Sequence, residues 1–102
     1  MKKLTLFSGI LIAAFAGQAF ADGAALYQTK GCVQCHGKGA KNPIAPEFPK
    51  IAGQSVQYTE RQMLDIKSGA RSNANSAVMK GIMAMVTEAE IKQLADYLAK
   101  LK

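Results

Sequence analysis

Residues 32–36 read Cys-Val-Gln-Cys-His, and this stretch decides how the rest of the chain is interpreted. The chain has 102 residues with two cysteines and one histidine, and all three fall within these five positions. A C-x-x-C pair serves as a disulfide, a redox dithiol, part of a metal site or an attachment point for haem. The residue after the second cysteine and the surrounding sequence decide among these uses.

The adjacent His36 favours covalent attachment of a haem, because C-x-x-C-H is the sequence pattern of c-type haem binding. Two thiols separated by two residues form thioethers with the two former vinyl groups of one porphyrin, and the next residue places its imidazole on the iron. The sequence therefore predicts one covalent haem c held by Cys32 and Cys35, with His36 as an axial ligand of the iron.

Three other uses of the motif are less well supported. Structural zinc normally takes four protein ligands, and the chain has no cysteine or histidine beyond these three. A thioredoxin-like dithiol belongs to a fold with strands, and no window of this sequence shows strand alternation. A disulfide between Cys32 and Cys35 would close a loop too short to stabilise the chain much.

The first 21 residues have the three parts of a secretory signal, namely two early lysines, an apolar run over residues 4–16 and a small-residue site at residues 19–21. We predict cleavage after Ala21, export to the periplasm and a single domain over residues 22–102. An uncleaved membrane anchor is the alternative, but the apolar run ends short of the roughly 20 residues that span a bilayer. Stable membrane insertion after cleavage is therefore not expected.

The formal net charge of +6 falls to +4 once the two lysines of the signal are removed. A modest positive charge favours partners with acidic surfaces. The basic residues are mostly single lysines without a nucleic-acid-binding motif, so nucleic acid is not an expected partner. A monomer is favoured, and the oligomeric state stays open.

Three helical stretches are predicted, and the fold class is all-α. The first covers about residues 22–30 and stops at Gly31, and the second covers residues 55–68. The third begins at a capping box formed by Thr87 and Glu90. Its apolar stripe consists of Ile91, Leu94, Ala95, Leu98 and Leu101.

Two long connections, residues 37–54 and 70–86, carry all three prolines and three of the five methionines. Loops of this length in so small a domain are usually functional or disordered. We expect these connections to form the walls of a pocket.

With these residues the chain resembles a class I bacterial c-type cytochrome, similar to one domain of the small periplasmic monohaem or dihaem kind. The resemblance covers residues 22–102 and implies about three main helices wrapped around one covalent haem, with the first and last helices crossing at Gly23. It is carried by residues 32–37, 45–54, 67–71 and the stretch from Met79 through the final helix.

The sixth iron ligand is predicted to be a methionine thioether, which suits electron transfer rather than substrate binding. Met79 leaves the longest loop before the helix that begins at Thr87, and similar domains place their ligand in a Met-x-Gly segment, here residues 79–81. Met79 is the predicted ligand and Met83 the second choice. Met83 and Met85 are otherwise expected to pack the haem pocket.

An axial imidazole needs an acceptor for its other ring N–H. The resemblance implies a proline carbonyl, and Pro46 is the best match, while Pro43 and Pro49 are interpreted as residues that stiffen an irregular loop. The pocket walls are then expected to include Ile44, Phe48 and Ile51.

Two further expectations concern charge. Arg71 and the amides of residues 72–76 are expected within reach of a haem propionate. Lysines beside the exposed haem edge are expected to steer an acidic redox protein into a small, short-lived interface. These lysines are Lys38, Lys41, Lys50 and Lys80.

The predicted function is that of a periplasmic single-electron carrier with no enzymatic activity of its own, which exchanges electrons with redox protein partners. One alternative is a haem-containing subunit of a larger oxidoreductase. Another is a ligand-binding haem protein, which would require an open coordination position in place of the methionine.

Overall fold

A computed structural model describes residues 23–102. The predicted signal segment and its cleavage after Ala21 lie outside the described residues. Within residues 23–102 there are five α-helices and one short 3-10 helix, and no strand, so the all-α prediction is confirmed. The helices are α1 (Gly23–Thr29), α2 (Cys32–His36), α3 (Val56–Ser68), α4 (Ser76–Met83) and α5 (Glu88–Ala99), and the 3-10 helix is Lys38–Ala40.

Helices α1 and α5 cross at a glycine, as the resemblance implied. A Cβ atom added at Gly23 would collide with the Gln93 carbonyl oxygen and with Cβ of Tyr97, so only glycine permits this approach. One turn later, the rings of Tyr27 and Tyr97 pack with their centroids 5.9 Å apart and their planes tilted by 51°. This contact fixes the segment that leads into Cys32 against the final helix.

Helix α5 begins with the predicted capping box. The Glu90 amide donates to Thr87 Oγ1 over 3.2 Å, and the Thr87 amide donates to Glu90 Oε1 over 2.9 Å. Two amides at the helix start are thereby satisfied. The Thr87 amide, helped by the nearby charge of Lys30, lowers the pKa of the Glu90 carboxyl.

Helix α3 occupies the range that the sequence predicted. Ser55 precedes it and accepts a hydrogen bond from the Tyr58 amide over 3.1 Å. Gly69 ends it with φ of +90°, and its amide bonds to the carbonyls of Asp65 and Ile66. A left-handed glycine at this position stops a helix at low conformational cost.

The connection over residues 70–86 is not a continuous loop, because it contains α4. Gly81 lies inside this helix, and Asn75 at its start makes no side-chain capping bond, so neither usual boundary signal is present. What stabilises α4 is tertiary contact, since it packs on α3 and buries Met83. This helix was not predicted from the sequence.

The core lies where α1, α3 and α5 meet, and the assignment of Ile91, Leu94, Ala95 and Leu98 to it is confirmed. Each fully buried aliphatic side chain of this kind contributes about 1.5–3 kcal/mol through removal of apolar surface from water. No helix among residues 23–102 is long and apolar enough to cross a membrane. The other buried apolar residues are Tyr27, Ala40, Met63, Ile66, Met83 and Val86.

Candidate haem site

A cleft is lined by α2 on one side and α4 on the other, with about 760 Å³ of empty space, part of which is open to solvent. The turn at residues 47–49 also lines it, together with Arg71, Ala74 and Asn75. Three of the predicted site residues line one wall, and Met79 lines the cleft from the other helix. The lining residues of the two helices are Cys32, Cys35, His36, Ser76, Val78, Met79 and Ile82.

The two cysteines lie one helical turn apart at the start and near the end of α2. Gly31, with φ of +80°, separates α1 from α2 and turns the chain between them. Residues three apart lie on the same face of a helix, so both thiols are presented to the cleft. Neither is in a disulfide, and burial raises the pKa of the Cys32 thiol above its ordinary value.

The His36 side chain is buried, with 7% of its surface exposed. Its Nδ1 lies 3.0 Å from the carbonyl oxygen of Pro49. A carbonyl only accepts hydrogen bonds, so Nδ1 carries the proton and donates. The other ring nitrogen, Nε2, is then the one available to a metal, which is the arrangement expected of an axial imidazole.

The carbonyl that holds His36 belongs to Pro49, and the prediction of Pro46 is wrong. The Phe48 amide donates to the Ala45 carbonyl over 3.1 Å and closes a turn with Pro46 at its exposed corner. The chain comes back toward the imidazole only after this turn. Nothing in the local sequence distinguishes the two carbonyls.

Several backbone contacts fix the segment that follows α2. Gly37 has φ of +81°, and a Cβ atom there would overlap the Asn42 carbonyl. The buried Tyr27 hydroxyl donates to the Gly37 carbonyl, and the Ile44 amide donates to the Cys35 carbonyl over 3.1 Å. Burial is the main cause that raises the pKa of Tyr27 to about 12, so this hydroxyl stays a donor at neutral pH.

The three candidate methionines occupy different environments. Met79 is half-buried and lines the cleft. Met83, one turn further along α4, is only 1% exposed and belongs to the core. Met85 lies beyond the end of α4 and is 63% exposed, so the expectation that it packs the pocket is wrong.

The expectation that Ile44, Phe48 and Ile51 line the pocket is only partly correct. Phe48 lines the cleft. The Ile44 amide donates to the Cys35 carbonyl, and the residue is 70% exposed, so its side chain is in solvent and not in the cleft. Ile51 packs against the core instead of lining the cleft.

Arg71 lines the cleft, and two amide side chains accept hydrogen bonds from its guanidinium. Nη1 donates to Gln62 Oε1 over 3.0 Å, and Nε donates to Asn73 Oδ1 over 3.1 Å. The roles of the Gln62 and Asn73 side chains were not predicted from the sequence, since neither residue belongs to a recognised motif. A guanidinium held in this place is suited to pair with an anionic substituent of a group bound in the cleft, such as a haem propionate.

These observations test whether the residues fit a haem. The cleft has a mainly apolar lining, two thiols and an imidazole on one helix, and a thioether on another helix. Within the described part of the chain, no cluster of three or more His, Cys, Asp or Glu could hold a metal ion by itself, which gives no support to the zinc alternative. The donor set fits an iron porphyrin attached through its periphery.

Comparison with known proteins agrees with this geometry. The profile of the family described as "Cytochrome c" matches residues 20–102, and the chain belongs to the cytochrome c family. Its cofactor is accordingly haem c, attached through Cys32 and Cys35 of the C-x-x-C-H motif. The chain is similar to domains of dihaem cytochromes.

Among its relatives is a cytochrome c4 of Pseudomonas aeruginosa, 39% identical over 100% of this chain and 50% of that protein. A cytochrome c-553 of Nitratidesulfovibrio vulgaris is 30% identical over 99% of this chain and 100% of that protein. A protein of Thiomonas intermedia named thiosulfate dehydrogenase electron acceptor is 37% identical over 74% of this chain and 33% of that protein. The chain thus spans half or less of several curated relatives.

Proposed function

We propose that this chain is a periplasmic single-electron carrier whose haem iron is ligated by His36 and Met79. The observation that carries this proposal is that His36 and Met79 line the same cleft from different helices. The His36 imidazole is buried and its Nδ1 is already hydrogen-bonded, and Met79 is half-buried. The family assignment and the thiols of the same cleft support it.

The bound haem supplies a reversible one-electron couple between ferric and ferrous iron. The protein residues attach, orient and shield it. Cys32 and Cys35 provide the thioether sulfurs, and the Pro49 carbonyl fixes the orientation of the His36 ring. Phe48 and Ile82 cover the cleft with apolar surface, which limits access of water to the metal.

We propose an electron carrier rather than an enzyme because of the two proposed iron ligands. A catalytic or gas-binding haem needs an open position and distal groups that act on the ligand. The lone histidine of the chain is His36, and Met79 would supply the second protein ligand of the iron. The secretory pattern of residues 1–21 supports export to the periplasm.

The partners we propose are redox proteins with acidic docking surfaces. Lys38, Lys41, Lys50 and Lys80 are exposed and supply positive charge to such an interface. The relatives named thiosulfate dehydrogenase electron acceptor make a dehydrogenase a candidate donor. Because the chain covers half or less of several relatives, the second candidate function is that of a haem-bearing domain of a longer redox protein.

Carbon monoxide added to the reduced holoprotein tests the proposal. A six-coordinate iron with a thioether ligand is expected to leave the spectrum unchanged within minutes at neutral pH, whereas prompt binding would favour the ligand-binding alternative.

A pyridine haemochrome spectrum checks the two thioether bonds independently. A redox titration should then show a single one-electron transition, and two transitions would contradict one haem per chain.

A further inference from the structure

Two lysines bind backbone carbonyls at the end of the helix that carries Met79. Lys67 Nζ donates to the carbonyl of Met83, the last residue of α4, over 2.9 Å. Lys30 Nζ donates to the carbonyl of Met85 over 2.9 Å. Hydrogen bonds from a charged donor contribute more than neutral ones, so both bonds are suited to hold this end of α4 in place.

Helix α4 requires such external support. It has eight residues, and a helix this short is unstable by itself in water. Its N-terminal end makes no side-chain capping bond at Asn75, and Ala74 before it has φ of +50°. The N-terminal end is held through the buried Ser76, whose hydroxyl donates to Asn73 Oδ1 over 3.4 Å. The C-terminal end is held through the buried Met83 side chain and the two lysines.

The two lysines come from different parts of the fold. Lys67 is half-buried and lies in the last turn of α3, against which α4 packs. Lys30 lies between α1 and α2, two positions before Cys32, and its ammonium is also 3.4 Å from Glu90 Oε1. Lys30 thus connects the segment that carries the thiols to the segment that follows Met79.

We propose that Lys67 and Lys30 are positioning residues that keep α4 closed over the cleft and so keep the Met79 thioether available to the iron. This inference rests on the proposed ligation by Met79. Lys67 has the larger effect, because its acceptor belongs to α4 itself and the bond is partly buried. Lys30, whose bond to the Met85 carbonyl is exposed, adds a weaker link.

Displacement of Met79 by imidazole measures how easily α4 opens. Ferric holoprotein is titrated with imidazole, and loss of the weak far-red sulfur-to-iron absorption reports displacement. We expect Lys67→Leu to lower the dissociation constant of imidazole about tenfold, since loss of one charged hydrogen bond of about 1.4 kcal/mol corresponds to a factor of ten. Lys30→Leu should lower it about threefold.

Matched variants separate positioning from a general effect of lysine removal. Lys67→Arg keeps a charged donor and should restore the wild-type constant. Lys92→Leu removes an exposed lysine of α5 and should leave the constant within twofold. If Lys67→Leu stays within twofold of wild type, or merely lowers the guanidinium midpoint of the helical circular dichroism, the positioning role is rejected.

The Met79→Ala variant distinguishes this failure from failure of the proposed function. If its far-red absorption is lost while imidazole affinity of Lys67→Leu is unchanged, ligation by Met79 stands and the lysine proposal alone is overturned. If the absorption survives in Met79→Ala, the ligand assignment is wrong, and the lysine proposal falls with it.

Discussion

Three methionines within seven residues have three different roles at the residue scale. A helical turn separates Met79 from Met83, yet only Met79 lines the cleft, and Met83 fills the core. Met85 follows the end of α4 and is exposed. A methionine of this stretch is thus a candidate ligand only if its thioether faces the cleft.

Substitution of each methionine by alanine should give three distinct results. Met79→Ala is expected to abolish the far-red absorption of the ferric protein. Met83→Ala should retain it but lower the free energy of unfolding by about 2–5 kcal/mol, because a buried side chain is removed. Met85→Ala should change neither quantity, and loss of the absorption in this variant would refute the assignment.

At the scale of elements, the glycines of α1 and α4 differ in what surrounds them. Gly23 touches α5 so closely that no Cβ atom fits, whereas Gly81 has open space around it. Substitution of glycine by alanine should therefore change the free energy of unfolding in opposite directions at the two sites.

Gly23→Ala is expected to lower the free energy of unfolding by about 1–3 kcal/mol, since α1 and α5 must move apart. Gly81→Ala should raise it by about 0.4–1 kcal/mol, because alanine favours the helix. Guanidinium unfolding of the holoprotein, followed by circular dichroism, measures both. Equal effects at the two positions would contradict the close crossing of α1 and α5.

The capping box of α5 leads to a prediction about pH. The folded-state pKa of Glu90 is lowered, so its charge stabilises the fold above the unfolded-state pKa, and this contribution is lost as pH falls through the folded-state value. Wild type should exceed Glu90→Gln in stability at neutral pH, and the difference should vanish in acid. If the difference in stability between wild type and Glu90→Gln persists at low pH, the charge effect is excluded. Thr87→Ala is expected to lower the free energy of unfolding by about 1 kcal/mol.

The sequence contained enough information for α1, α3 and α5, because their boundaries use local signals such as Gly31, Gly69 and the capping box. It did not reveal α2, the short helix that carries the C-x-x-C-H motif, or α4, whose stability comes from packing on α3. Pro49 was also missed, because its contact with His36 spans 13 residues and depends on the turn in between. The role of Gln62 beside Arg71 likewise depends on tertiary placement.

At the scale of the whole molecule, positive charge should govern how fast partners meet. The net charge of residues 22–102 is positive, and the exposed lysines beside the cleft segments carry much of it. Attraction between such surfaces raises association rates at low ionic strength and is screened by salt over about 10 Å at 0.1 M.

Charge reversal of Lys50 and Lys80 together should slow electron transfer with an acidic redox protein at least severalfold at low salt, and added salt should reduce the difference. The matched control is Lys100→Glu with Lys102→Glu, which makes the same change in net charge at the C-terminus. Stopped-flow kinetics across a salt series measures both. Rates independent of ionic strength, or an equal loss in the control, would argue against steering.

The hydrogen bond between His36 and Pro49 has a consequence for protein engineering. Every residue type carries a main-chain carbonyl, so exchange of the side chain at position 49 need not remove the acceptor of the imidazole proton. A designer who wants to retune the basicity of this ligand, and with it the potential of the metal, would do better to alter the length or shape of the turn at residues 45–48 than to replace a single amino acid.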